Sequence, residues 1–237
     1  MKFLTKIKNE IQNMQLAISV LFFKQKEFVE NKIPYVSQFA HSEYAEKILK
    51  DGVEKTNDPN WKNTGAQSPE EYAEWVLIIC GMACTSMALQ HFKKQQIGIV
   101  TLAKDAKNHG VYKKEGQEIS GMHYKEFVDW IENYGLSAKI YTRLGIRGLQ
   151  KLLSNGDIVI VSVSPNIRGY KTADATQRGG HLVLVTGYDK KTNTITLHNP
   201  SGFASQNTQK DHCVLVSEFI KYYAGRGIDL NNKKSKN

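Results

Sequence analysis

Three cysteines in 237 residues are too few, and odd in number, for a disulfide framework. A chain of this length buries an adequate core without one, so a reducing, cytoplasmic setting is expected. Long apolar runs are also missing. LAISVLFF (Leu16–Phe23) has eight residues, against the roughly 20 of a spanning helix. It starts late, follows Glu10 and precedes no small-x-small cleavage site, so it does not read as a signal peptide. No internal repeat is found. No paired Cys-x-x-Cys or His-x-x-x-His spacing occurs, so neither metal nor cofactor is expected. The net charge of +9 contains no long basic run interleaved with aromatics. It reads as a lysine-rich solvated surface rather than a nucleic-acid site.

What is present divides the chain into three parts. Residues 1–32 carry an amphipathic helix (3–30) that covers the domain or, as the alternative, contacts a membrane surface as a peripheral partner. Residues 33–228 form the main domain, with a polar insertion at about 40–72. Residues 229–237 form a basic polar tail. IPYVSQF (Ile33–Phe39) reads as a short extended strand. Ser68 and Pro69 open a helix. Further helices are expected after Gly81, over SGMHYKEFVDWIENYGL (closed by Gly135) and over IRGLQKLLSNG (stopped at Gly156). The period then changes: DIVIVSVS, HLVLVTGYD and NTITLHNP are β-branched runs bounded by Gly, Asn and Pro. Helices first and strands last predict an α+β fold, N-terminal helices packed on a mostly antiparallel sheet.

The candidate chemistry starts at Cys80, which precedes Gly81 at a helix start. There, unpartnered N–H groups and the positive dipole end favour thiolate. Gly81 leaves room for close backbone approach to a substrate. Cys84 and Cys213 are assigned to packing. A nucleophilic cysteine needs a base, and His181 in RGGHLVLVTGYD opens a strand behind two glycines. Asn199 ends the next strand, 18 residues on. A hairpin around DKKTN brings it beside His181, where its amide oxygen accepts from the imidazole N–H. His198 points to the opposite face. For the oxyanion, the Cys80 N–H and the Gln38 side chain are the expected donors, with Gln67 as the alternative.

The order Cys, His, Asn is that of papain-like enzymes. CGMAC followed by TSMAL resembles the Cys-Gly-x-Ala-Cys-x-x-Met signature of cysteine-peptidase family thirty-nine, the double-glycine leader peptidases of bacterial bacteriocin exporters and their stand-alone C39-like relatives. GGHLVLVTGYD, the strand ending Asn199-Pro200 and FIKYYAGRGI are similar to the family's later segments. The resemblance covers about Ile33 to Ile228. It implies a papain-like fold, a peptide or protein substrate, and Cys80, His181, Asn199 and Gln38 as nucleophile, base, orienter and oxyanion donor, with deamidation or acyl transfer on the same triad, or non-catalytic peptide binding, as the alternatives. Two features depart from the exporter peptidases: an Asn stands in place of Asp, and Gln38 lies much farther ahead of the cysteine. The intervening insertion of roughly 35 residues suggests a lid or a partner-binding surface.

Overall fold

In the β-branched C-terminal half, successive side chains point to opposite faces of a sheet, and here both faces are apolar. The computed structural model describes residues 2–116, 118–169 and 174–232. Its strands are β1 (Phe28–Glu30), β2 (Lys114–Glu115), β3 (Glu118–Ile119), β4 (Leu136–Tyr141), β5 (Ile158–Val163), β6 (His181–Asp189), β7 (Thr194–His198), β8 (His212–Leu215) and β9 (Tyr223–Asn232). Seven of them form one sheet in the order β4-β9-β5-β6-β7-β8, with β1 paired to β6. All seven pair antiparallel. β2 and β3 make a separate small ribbon.

The helices are α1 (Lys2–Leu21), α2 (Tyr44–Leu49), α3 (Pro69–Trp75), α4 (Cys80–Lys93), α5 (Ile99–Asn108), α6 (Tyr124–Ile131), α7 (Ile146–Ser154) and α8 (Val216–Tyr222). Alternation along β5 and β6 divides the core. Ile158, Ile160, Leu182 and Leu184 join the cluster containing α4, α5 and α6. Val159, Val161, Val183 and Val185 join the one containing α7, α8 and Leu16 of α1. Two buried faces explain why these strands read as continuous apolar runs.

Several expectations change at the edges. The N-terminal helix ends at Leu21, not near residue 30, and 28–30 extend the sheet as β1. Ile33–Phe39 is unpaired extended chain, not a strand, although the Gln38 N–H donates to Pro200 O at 2.9 Å. The tail begins later than 229, because 229–232 complete β9 against β4; residues 233–237 lie outside the described residues. The insertion at 40–72 is built around buried Asp58, whose carboxylate accepts from the Tyr72 hydroxyl (2.7 Å) and the His41 N–H (3.1 Å). α5, β4, β8 and β9 have no counterpart in the sequence reading. Short or irregularly patterned segments like these take their structure from the neighbours they pack on.

Candidate active site

α4 starts at Cys80. The Met82 and Ala83 N–H groups bond back to Ile79 O (2.9 and 3.0 Å). The Leu182, Gly81 and Cys80 N–H groups favour the Cys80 thiolate. A methyl group at Gly81 would lie 2.7 Å from Met122 Sδ and 3.1 Å from Leu182 Cδ1. Gly81 therefore allows α4 to pack closely on β6, a structural demand rather than the open space for substrate that its sequence suggested.

His181 is the first residue of β6. Gly179 and Gly180 before it hold φ of +90° and +96°, a backbone that only glycine adopts without strain. The β6–β7 hairpin returns the chain so that Asn199 meets the ring: His181 Nε2 donates to Asn199 Oδ1 at 2.8 Å. That bond assigns the tautomer with the proton on Nε2, which leaves Nδ1 as the basic nitrogen. Asn199 is held in turn. Its Oδ1 accepts the Ser201 N–H (3.1 Å), its N–H donates to Gln209 O (2.8 Å), and its carbonyl accepts the Tyr35 hydroxyl (3.1 Å). Ser201 Oγ lies 3.0 Å from His181 Nε2, and Arg168 Nε donates to that hydroxyl at 2.9 Å. Both of these contacts to the His181 ring run through Nε2.

Cys80 and His181 line one cavity of about 690 Å³ with Arg168, Tyr124, Ser162 and Leu182. Burial dominates its electrostatics. It pushes the Cys80 thiol above its ordinary range, against the lowering effect of the three N–H groups and of Arg168. It brings His181 down to about 3, reinforced by Arg168 and opposed by Asn199. Burial thus works against the thiolate that a helix N-terminus favours.

A family model for the peptidase C39-like family matches residues 30–228. The chain belongs to that family. Its fold is the expected papain-like α+β fold, with helices packed on a mostly antiparallel sheet. Among solved structures, the chain is similar to the peptidase domain of Streptococcus ComA, a bi-functional ABC transporter involved in a quorum-sensing pathway. The identity is 18%, covering 66% of this chain and 93% of that one, with a TM-score of 0.44. It is also similar to a double-glycine-motif protease from an AMS/PCAT transporter in complex with the leader peptide. Here the identity is 14%, covering 86% and 94% of the two chains, with a TM-score of 0.45. No curated protein matches.

In this C39-like chain, His181 bonds to Asn199 and shares a cavity with Cys80, and neither glutamine lines that cavity. Gln38 is buried, but its Nε2 donates to Val76 O at 2.8 Å, and it is absent from the cavity lining. The turn leading into Cys80 presents its carbonyl there and captures the amide. Gln67 is exposed in its loop, its N–H bonded to Glu71. None of residues 40–72 lines the cavity. His198 sits apart as expected, accepting the Asp211 N–H at Nδ1 and donating to Ile33 O through Nε2 at 2.9 Å. Cys84 is core, its sulfur 3.8 Å from Leu182 O, whereas Cys213 is exposed rather than packed. Arg168 and Ser201 were missed. Ser201 had a signal in its place just after Asn-Pro. Arg168, on a turn after β5, had none. Among the described residues, no cluster of three His, Cys, Asp or Glu side chains is placed to hold a metal ion. No single described helix is long and apolar enough to cross a membrane.

Proposed function

We propose that this protein is a papain-like thiol hydrolase that cleaves a peptide or other amide bond through Cys80, His181 and Asn199. The observation that carries the reading is the 2.8 Å bond from His181 Nε2 to Asn199 Oδ1, which leaves Nδ1 as base in a cavity shared with the Cys80 sulfur. Nδ1 takes the thiol proton as the sulfur attacks the carbonyl carbon. The first N–H groups of α4 stabilise the oxyanion. Nδ1–H then protonates the leaving amine, and water releases the acyl group from the thioester. Asn199 fixes the tautomer and steadies the imidazolium, as the carboxylate does in serine proteases. Gln38, tied to Val76, positions the turn that carries Cys80. The substrate is a peptide or protein segment lying across the cavity.

Because burial raises the Cys80 thiol, plain alkylation of Cys80 should rise with pH through a thiol pKa above the ordinary range. A peptide-based electrophilic probe, which supplies an acyl-like centre, tests the reading directly. It labels Cys80, and labelling is lost in Cys80→Ala and His181→Ala. Labelling of Cys213 alone would reject it.

A further inference from the structure

The thiol-hydrolase chemistry leaves part of the cavity wall unexplained. Among the described residues, the lining contains two arginines, Arg168 and Arg226, and no Asp or Glu. Arg226 belongs to a β-bulge: between the pairs Val161–Gly227 and Val163–Tyr223, residues 224–226 of β9 oppose Ser162 alone. Bulges re-aim side chains next to sites. Here the bulge gathers three donors. A methyl group on Gly179 would lie 2.8 Å from Arg226 Nη2 and 2.9 Å from Ser162 Oγ, and both groups lie beside the Tyr124 hydroxyl. Arg226 makes no ion pair among the described residues. Arg168, 7% exposed, places a second positive charge beside Cys80 and His181.

We propose that Arg226, Ser162 and Tyr124 bind a carboxylate of the substrate, so that the preferred amide carries an Asp or Glu side chain or a free C-terminal carboxylate close to the scissile bond. A guanidinium fork matches a carboxylate in a bidentate pair, and the two hydroxyls add donors around it. Arg226 is exposed and open to a substrate, while Ser162 is buried and Tyr124 half-buried behind it. The proposal rests on the thiol-hydrolase reading.

Incubating the full chain with a proteome-derived peptide mixture, and sequencing the products, tests it. An acidic residue is expected at one subsite. In synthetic substrates made from those hits, Glu→Gln should lower kcat/KM at least tenfold. Amidating the C-terminus instead should do so only if the terminal carboxylate is the recognised group. Arg226→Gln should bring the Glu-to-Gln ratio near one, and Arg226→Glu should invert it in favour of Lys. Cleavage with no acidic preference overturns this proposal and leaves the hydrolase reading standing. If no peptide is cut, protection of Cys80 from iodoacetamide reads the subsite without turnover. N-acetylglutamate should slow alkylation more than N-acetylglutamine; equal rates overturn the proposal.

A second observation is independent of the cavity. On α1, Leu4, Ile7, Ile11, Met14, Ile18 and Leu21 recur every three or four residues and are 40–77% exposed, with Phe22 beyond them 85% exposed. The side facing the sheet is taken by Leu16, packed near Gly148, and by Asn13, bonded to Thr142. Exposed Lys6, Lys8 and Lys24 flank the stripe, and the one acid of α1, Glu10, pairs with Arg143. α1 also lies outside the family match. We infer that this face docks on an anionic lipid surface. Lysines at the rim of an apolar stripe complement lipid phosphates and carboxylates, whereas two copies would bring like charges together. Vesicles of 30% phosphatidylserine in phosphatidylcholine should carry the full chain in flotation, with binding at least tenfold weaker in pure phosphatidylcholine, in 0.5 M salt, or for Ile11→Glu/Ile18→Glu. Equal flotation of that variant overturns the inference. So does a lipid-indifferent dimer that the variant dissolves.

Discussion

α1 and α4 are both helices with regular apolar positions, and they have opposite fates. α4 is buried on nearly every side from Gly81 to Leu89, while α1 turns a full-length apolar stripe to the outside. α4 lies between the sheet and α5, and its start delivers Cys80 to the cavity. α1 touches the sheet and α7 on one narrow side. Apolar periodicity thus reveals that a helix has a face to cover, without saying what covers it. In α4 the fold does so; in α1 the fold uses the other side.

The comparison is broken most sharply at the start of α4. Cys80→Ala should abolish turnover with an unchanged urea midpoint, while no substitution along the α1 stripe alters kcat on a soluble peptide. His181→Ala should lower kcat about 10²–10⁴-fold, the range of a positioned general base. Asn199→Ala should cost less, with a shifted pH–rate profile as its signature. In the helix bodies, Met87→Ala should destabilise by about 2–5 kcal/mol by opening a cavity. Ile11→Ser on the exposed stripe should change stability by less than about 0.5 kcal/mol. Chemical denaturation of both variants measures that contrast.

A gentler probe is pH. His181 stays neutral in the folded protein down to about 3 but titrates near its ordinary 6.5 when unfolded. Between those values the unfolded chain binds the extra proton, so the stability owed to this residue is present above pH 6.5 and is lost as pH falls toward 3. His181→Gln should flatten the acid limb of the urea midpoint against pH. An equally steep limb in the variant would assign it to other groups.

Particular residues show how far the sequence could be read. Cys80, His181 and Asn199 were singled out because each sits where a local pattern changes: a helix start, a strand start behind paired glycines, a strand end before proline. The hairpin was legible from DKKTN, where Asp189 Oδ1 accepts the Lys191 N–H at 2.7 Å and Asn193 takes the left-handed conformation. Gln38 misled because its apolar neighbours announce burial, not direction; the Val76 carbonyl claims its amide. β4 and β9 escaped notice because their pairing partners are distant in the chain.

Sequence alone therefore determined the α+β class, the family and the hairpin that brings His181 to Asn199, because these follow from short-range chemistry and period. Tertiary structure decided that burial raises the thiol and lowers the imidazole, that Arg168 charges the cavity and Ser201 buttresses the imidazole, and that α1 shows its apolar side outward. Desolvation and contact depend on groups brought together from far along the chain, and no local pattern records which ones meet.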